Sequence, residues 1–169
     1  VSSVAVLSEI YGELLRAAGA PERLMELLAA RSPVDEPAAP QPLPPARGGS
    51  AVRFEQVLFH YPSRPQTAAL ADFTLDVKPG ETVALVGPSG AGKSTVLQLL
   101  LRFYDVQRGR VLVDGVPVHE VALGDLRQRI GIVPQDSTIF STSALDNIRY
   151  GRPDASDDEV IAAAKAAFA

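Results

Sequence analysis

The stretch that decides the fold reads LVGPSGAGKSTVLQLL and covers residues 85–100. Within it, GPSGAGKS at residues 87–94 satisfies the pattern G-x-x-x-x-G-K-[ST]. The apolar run at residues 82–86 predicts a strand before the loop, and residues 94–101 predict a helix after it. A glycine-rich turn between a strand and a helix N-terminus collects backbone N–H groups in one concavity, which suits a phosphate. The stretch therefore predicts a nucleoside triphosphate site.

The residue types in this loop each have a chemical reason. Glycine tolerates backbone angles and close approaches that a Cβ would block. Lys93 would place a positive charge at the β- and γ-phosphates, and the Ser94 hydroxyl can ligate Mg²⁺. Thr95, at the start of the helix, is expected on the side of the α-phosphate. The candidate phosphate-binding residues are Gly87, Ser89, Gly90, Ala91, Gly92, Lys93, Ser94 and Thr95.

The composition excludes several classes of function. With 169 residues, 46% hydrophobic and 21% charged, the chain is globular and long enough for one domain with an appendage. A net charge of −4 supplies no general basic field, so no nucleic-acid partner is predicted. The absence of cysteine excludes disulfides, thiolate metal sites and cysteine nucleophiles. Neither an apolar run of about 18 residues nor a signal peptide occurs, so no membrane span is predicted.

Changes in residue pattern divide the chain into three parts. Residues 1–31 predict two helices and form a helical extension. The apolar positions of the first helix are Leu7, Ile10, Tyr11, Leu14, Leu15 and Ala18. Residues 32–50 are rich in proline and glycine and predict an extended linker, with a proline-rich binding peptide as the alternative. Residues 51–169 alternate strand-like and helical segments, which is typical of α/β architecture.

Short patterns place further elements in the third part. Strands are predicted at residues 52–61, 73–77, 111–115 and 130–135, in addition to 82–86. Helices are predicted at residues 122–129, 141–148 and 157–167, the last with Ser156 as its N-cap.

Two segments flank the glycine-rich loop in a characteristic order: FHYPSRP at residues 59–65 and IVPQDSTIFSTSALDNIRYG at residues 132–151. With these three motifs, the chain resembles the nucleotide-binding domain of ABC transporters of the exporter type. The resemblance implies the N-terminal portion of an α/β P-loop NTPase fold with an antiparallel β subdomain, preceded by an α-helical extension. It further implies ATP and Mg²⁺ as ligands.

The resemblance also implies roles for single residues. Tyr61 matches an aromatic residue that stacks on adenine, although a strand-end aromatic covering the core is the alternative from the residues alone. Gln135 matches a glutamine whose amide reaches Mg²⁺ and the attacking water, so Lys93 and Gln135 are the candidate catalytic residues and Ser94 and Gln135 the candidate metal ligands.

The same family pattern implies partners and a location. A second nucleotide-binding domain, in a homodimer or heterodimer, would close the ATP site, and coupling helices of a transmembrane domain would dock near Gln135 and Phe140. Residues 7–28 resemble the cytoplasmic end of the last transmembrane helix of such exporters. The implied location is the cytoplasmic face of the inner (plasma) membrane, within an integral membrane transporter. A soluble ABC-type ATPase and a non-catalytic ATP-binding module are the alternatives.

Several family motifs are absent from these 169 residues. The sequence contains neither an L-S-G-G-Q-type signature nor an apolar strand ending in Asp-Glu after Gln135, nor a switch histidine. We expect His60 to be a strand residue, His119 a solvated loop residue, and Asp105 and Asp114 structural residues. Together with the termini at Val1 and Ala169, these absences lead us to expect a fragment that binds ATP weakly, does not hydrolyse it and aggregates.

Overall fold

The computed structural model describes residues 4, 6, 9–12, 24–30, 32–46, 48–136 and 138–168. The chain forms two compact units, Val1–Ile130 and Gly131–Ala169. In the helical extension, residues 9–12 and 24–29 are helical and mostly exposed. Four positions of the predicted apolar stripe, Leu7, Leu14, Leu15 and Ala18, lie outside the described residues. Among the described residues, no helix is long and apolar enough to cross a membrane.

A four-stranded antiparallel sheet forms the centre of the first unit. Its strands are β1 (Val52–His60), β2 (Ala68–Val77), β3 (Arg108–Val113) and β4 (Val116–Pro117). Their spatial order is β2-β1-β3-β4, with β1 paired to both long neighbours. Asp114 and Gly115 take left-handed angles (φ 51° and 83°) and form the tight β3–β4 turn that an Asp-Gly pair favours. The predicted antiparallel β subdomain is confirmed.

A bulge changes which side chains of β1 face the core. Gln56 has a φ of 46°, and the register with both neighbouring strands shifts at this point. As a result Phe54 and Val57, three residues apart, are both fully buried, where strict alternation would place them on opposite faces. The strand was predictable from the sequence, but the bulge was not.

Helix α1 (Lys93–Leu100) packs its buried side chains into the same core as the sheet. A 3₁₀ turn at Val118–Glu120 and helix α2 (Leu123–Gln128) complete the unit. Buried apolar residues from all of these elements form one cluster, which fixes α1 and therefore the glycine-rich loop before it. The cluster contains Phe54, Val57, Phe59, Leu70, Val96, Leu99, Val111, Val113, Val118, Val121 and Leu126.

Two predicted strands are not formed. Residues 82–86 and 130–135 belong to no strand, and most of their apolar side chains are exposed: Val86 is 88% exposed and Val133 is 94% exposed. Leu85 and Ile130 are partly buried against the core. An isolated extended segment cannot satisfy its backbone N–H and C=O groups, so an apolar run becomes a strand only beside a partner. The described residues supply no partner strand to either segment.

The second unit contains helices α3 (Ala144–Arg149) and α4 (Asp157–Ala166). The Ser143 side chain caps α3, and Ser156 with Glu159 forms a capping box on α4, as predicted for Ser156. Arg149 joins the two helices: it donates to the Ala155 carbonyl at 3.1 Å and pairs with Asp157. Val160 is the buried apolar residue of α4.

The proline-rich segment lies against the first unit along residues 34–44. Val34 is buried, and the Asp35 carbonyl accepts a hydrogen bond from Arg102 at 2.8 Å. Further along, the Gln41 backbone N–H donates to the Glu120 carbonyl at 2.7 Å. The Arg129 side chain donates to the Pro44 carbonyl at 2.9 Å. The described residues of the segment form neither helix nor strand, and these contacts make its first part a docked strap and not a free spacer.

Candidate nucleotide-binding site

The glycine-rich loop ends in an uncapped helix N-terminus. Gly92 precedes α1 with a left-handed φ of 85°, and no side chain of the described residues caps this helix. The first helical hydrogen bond runs from the Val96 N–H to the Gly92 carbonyl at 3.1 Å. The N–H groups of Lys93, Ser94 and Thr95 precede that bond, so the first turn has free donors for an anion.

The Lys93 ammonium lies over the loop itself. Its Nζ donates to the Gly87 carbonyl at 2.9 Å and to the Pro88 carbonyl at 2.7 Å. The Lys93 side chain therefore folds back onto the first residues of the loop. A bound phosphate would offer charged oxygens in place of these neutral carbonyls, and charge-assisted hydrogen bonds are the stronger ones.

The start of strand β2 touches the loop and fixes its path. A Cβ on Gly92 would lie 2.7 Å from the Ala69 carbonyl oxygen and 2.8 Å from Leu70 Cδ2. Since Leu70 belongs to the buried core cluster, the loop is held directly against the sheet. Gly90, in contrast, has no neighbour within 4 Å of its Cβ position, and its φ of 81° alone favours glycine.

Tyr61 follows the last residue of β1 and reaches the side of α1. Its ring is half-buried and meets Phe59 and Tyr104 edge to face, with centroids 5.0 Å and 5.4 Å away. Its hydroxyl lies 2.9 Å from Thr95 Oγ1 and 2.8 Å from Gln98 Oε1. The structure thus brings together two predicted site residues, Tyr61 and Thr95, through a contact that was not predicted.

These contacts bear on both roles considered for Tyr61. The ring packs against the core cluster, as the alternative of a strand-end aromatic requires. Its hydroxyl is tied to the helix that carries Lys93 and Ser94, as a base platform beside a phosphate loop requires. In this arrangement the Thr95 hydroxyl is directed at Tyr61.

Gln135 belongs to the second unit, where it is exposed and follows Ile132 and Val133. Beyond it, Asn147 braces the loop before α3: its amide oxygen accepts from the Phe140 N–H at 2.8 Å, and its amide nitrogen donates to the Phe140 carbonyl at 3.0 Å. The Phe140 ring lies 4.9 Å from that of Tyr150, and both side chains are exposed. This unit therefore presents an exposed aromatic pair whose first member follows the predicted glutamine closely in sequence.

Two carboxylates in the first turns of α3 and α4 are stabilised in their ionised form. Hydrogen bonds from the Ser143 and Thr142 hydroxyls, together with the charge of Arg149, lower the pKa of Asp146 below its ordinary value. The pKa of Glu159 is lowered chiefly by the backbone and side-chain hydrogen bonds of Ser156, with Arg152 adding to the effect. Both carboxylates lie in the first turn of a helix, where negative charge is favourable.

The residues proposed to hold Mg²⁺ fit that ion by their chemistry. Ser94 and Gln135 offer oxygen ligands, which Mg²⁺ requires, and protein Mg²⁺ sites beside phosphates use only one or two protein ligands. The described residues contain no cluster of three or more His, Cys, Asp or Glu side chains that could hold a metal alone. A metal beside Ser94 would therefore take most of its oxygen ligands from the phosphates and water.

The structure agrees with the predictions for the two histidines and for Asp105 and Asp114. His60 is in β1, and His119 is exposed in the 3₁₀ turn. Asp105 pairs with Arg102 at 2.9 Å, and Asp114 Oδ1 accepts from the Ala51 N–H at 2.8 Å, so both carboxylates are structural.

Two glutamines that contact Tyr61 and the preceding His60 were not among the predicted site residues. Gln98 lies three residues after Thr95, on the same face of α1, which was a readable signal once Thr95 was a candidate. Gln107 hydrogen-bonds both backbone groups of His60, accepting at 2.8 Å and donating at 3.1 Å. The contact of Gln107 depends on the path of the chain before β3, and no sequence pattern indicates it.

A glycine loop held between a sheet and an uncapped helix, with a lysine and a serine at its end, defines a P-loop nucleotide-binding domain. The sequence profile described as "ABC transporter" matches residues 70–168, more than half of the chain. The chain therefore belongs to the ABC transporter family.

Curated relatives cover nearly all of this chain. It is 43% identical over 166 residues to the ABC multidrug transporter mdr2 of Aspergillus fumigatus, with 98% of this chain and 21% of that protein covered. It is 42% identical over 161 residues to a fatty acid ABC transporter ATP-binding/permease protein of Mycobacterium tuberculosis, with 95% of this chain and 25% of that protein covered. The chain thus spans between a fifth and a quarter of the length of these relatives.

A solved structure supports the fold directly. A bacterial Atm1-family ABC exporter with ATP bound superposes with a TM-score of 0.76 at 38% identity, covering 95% of this chain and 28% of that one. The fold is that of the ABC ATPase, and the relatives found are exporters or transporters. Domains of this family bind ATP.

Proposed function

We propose that this chain is the ATP-binding part of an ABC exporter whose whole protein couples MgATP hydrolysis to export of a substrate. Tyr61 would contact the base, the backbone of residues 89–92 and the Lys93 ammonium would bind the phosphates, and Ser94 with Gln135 would hold Mg²⁺. The observation that carries the proposal is the uncapped N-terminus of α1, with Lys93 Nζ folded onto the loop carbonyls.

Partners follow from the same proposal. A second nucleotide-binding domain would supply the signature motif that these residues lack, and a transmembrane domain would contact the exposed surface near Gln135 and Phe140. The site would then face the cytoplasmic side of the inner (plasma) membrane. The rival soluble ATPase has less support, because the relatives that cover the chain carry transporter names.

Hydrolysis requires more groups than these residues provide. Phosphoryl transfer needs an oriented water and neutralisation of charge on the transferred group, which several residues supply together. Lys93 would neutralise charge and Gln135 would orient water, whereas the acidic residues after an apolar strand are missing from the sequence. We therefore propose that the chain by itself binds nucleotide without turning it over.

Replacement of Lys93 tests the binding site. Lys93→Ala should weaken MgATP binding at least tenfold in an isothermal titration, because the loop loses its point charge beside the phosphates. Lys165→Ala removes the same charge from exposed helix α4 and serves as the matched control, with affinity expected to stay within twofold. Equal affinity of the Lys93→Ala variant and the unmodified chain would contradict the proposed function.

A further inference from the structure

Tyr61 is fixed at both ends by glutamine side chains. On the backbone side, the Gln107 amide pairs with the N–H and C=O of His60, as a neighbouring strand would. On the side-chain side, Gln98 Oε1 receives a hydrogen bond from the Tyr61 hydroxyl at 2.8 Å. The ring can therefore neither move along β1 nor swing away from α1 without breaking a hydrogen bond.

The proton count gives this network a direction. A tyrosine hydroxyl carries one proton, and a carbonyl oxygen such as Gln98 Oε1 only accepts. The Tyr61 hydroxyl thus donates its proton to Gln98. In the contact at 2.9 Å, the Thr95 hydroxyl is therefore the donor and the Tyr61 oxygen the acceptor. Thr95 therefore donates to Tyr61 and Tyr61 donates to Gln98, so the direction of both hydrogen bonds depends on the Gln98 acceptor.

These two hydrogen bonds link two parts of the site that the sequence separates. Thr95 and Gln98 lie one turn apart on α1, and Thr95 follows Lys93 and Ser94 at the phosphate end of the same helix. Thr95 is buried and Gln98 is half-buried, so the hydrogen bonds are shielded from water and the helix face cannot easily rearrange. The distance between the Tyr61 ring and the phosphate loop is consequently set by α1.

We propose that Gln98 is a positioning residue that holds the Tyr61 ring against α1, where it can contact the base of a nucleotide whose phosphates the P-loop binds. The proposal rests on the proposed function, because it assigns Tyr61 to the base. A ring that is already held in place loses less conformational freedom on binding than a free one, so the gain in affinity applies to ligands that carry a base. Inorganic tripolyphosphate, which has the phosphates alone, should lose less affinity than ATP when Gln98 is replaced.

The experiment compares MgATP with magnesium tripolyphosphate by isothermal titration of the full 169-residue chain. Gln98→Leu and Tyr61→Phe should each lower ATP affinity about three- to tenfold, which is the effect of one net hydrogen bond. The loss of tripolyphosphate affinity should be clearly smaller, because only an effect through the Thr95 hydroxyl can reach that ligand. The double variant should lose no more than either single variant, because both break the same bond. Gln98→Glu keeps an acceptor at this position, so its ratio of ATP to tripolyphosphate affinity should equal that of the unmodified chain. Its negative charge can weaken the binding of both ligands without changing this ratio.

Gln128→Leu is the matched control, since it makes the same replacement on the exposed end of α2 and should change neither affinity. An equal loss of both ligands in Gln98→Leu, or no loss of either, would show a merely structural residue and overturn the positioning role. Additive losses in the double variant would overturn it as well. If the unmodified chain binds neither ligand, or if binding of both is indifferent to Lys93→Ala, the proposed function itself fails, and this inference fails with it.

Discussion

Gly92 shows how a single residue joins the loop to the sheet. Its left-handed φ of 85° would cost any other residue about 1–2 kcal/mol, and a Cβ would also meet the Ala69 carbonyl oxygen at 2.7 Å. Neither the backbone of β2 nor the buried Leu70 side chain can move away freely. The conformation of the phosphate loop therefore depends on the packing of β2 as well as on its own sequence.

A series of glycine replacements should separate these two effects. Gly92→Ala should lower the free energy of unfolding by more than about 2 kcal/mol, because strain and collision add. Gly90→Ala, with open space around it, should cost about 1–2 kcal/mol from its left-handed φ of 81° alone. Gly124→Ala, in helix α2 with no positive φ and no near neighbour, should be neutral or stabilising. Urea denaturation measures all three, and equal effects at Gly92 and Gly90 would contradict the contact with β2.

At the residue scale, the sequence predicted the phosphate loop more fully than the rest of the site. The loop is local: eight consecutive residues contain the turn, the charge and the helix start. The surroundings of Tyr61 come from distant segments, since Gln98 and Gln107 reach it only after the chain has folded. Residue types at fixed spacing could predict the first kind of contact but not the second.

Helix α4 is the element whose stability should depend on pH. Glu159 has a lowered pKa because the folded capping box stabilises its carboxylate, chiefly through the Ser156 N–H. A lowered folded pKa gives stability that is complete above the unfolded value and is lost as the pH falls through the folded one. We therefore expect α4 to fray below about pH 4, where carboxylates become protonated.

Replacing the cap should reproduce the effect at neutral pH. Ser156→Ala should destabilise α4 by about 1 kcal/mol, the usual effect of losing an N-cap. Amide hydrogen exchange in residues 157–166 measures it, and the acid-induced increase in exchange should shrink in the variant because Glu159 has lost its partner. Ser141→Ala, an exposed serine outside the helices, is the control. Unchanged protection in Ser156→Ala would rule out the capping box as the source of stability.

The docked strap at residues 34–44 should contribute to the stability of the first unit. Arg102 is only 3% exposed, takes a left-handed φ of 51° and uses Asp105 and the Asp35 carbonyl to satisfy its charge. Glu36 reaches the N-terminus of α2, where its carboxylate accepts from the Leu123 N–H at 3.2 Å. Composition predicted an extended linker here, while the docking of the strap depends on partners more than sixty residues away along the chain.

Val34→Ala tests whether the strap belongs to the folded unit. Val34 is buried, so the loss of two methyl groups should lower the free energy of unfolding by about 2 kcal/mol. Val6→Ala makes the same change at an exposed helical position and should have almost no effect. Urea denaturation compares them, and equal stability of the two variants would show that residues 34–44 do not stabilise the unit.

At the scale of the whole molecule, the sheet is the part that sequence reasoning described least well. The antiparallel strands were predicted and are present, because each has its partner within the chain. The runs at residues 82–86 and 130–135 were predicted as strands from their apolar character, which is suited to burial on both faces. An apolar run of this kind can form a strand, but it does so only beside a neighbouring strand. The described residues do not include such a neighbour for either run.

Exposed apolar runs without partners should make the chain self-associate. Val133, 94% exposed, and Val86 lie on segments that belong to no strand, so their backbone groups are open to pairing with another copy. Val133→Lys should lower light scattering and raise the soluble concentration, since charge on an unpaired edge opposes association. The thermal midpoint should not change, because the side chain contacts solvent.

The same substitution, Val133→Lys, should become harmful when the segment gains a partner strand. In any longer chain that supplies neighbouring strands, Val133 would be buried, and a lysine there would place an unpaired charge in the core at a cost of several kcal/mol. Val57→Lys provides the reference for that outcome, since Val57 is already fully buried and its replacement should unfold the first unit. Scattering by Val133→Lys equal to that of the unmodified 169-residue chain would mean that residues 131–133 do not drive association. A lower thermal midpoint in this chain would instead show that Val133 is already packed against the fold.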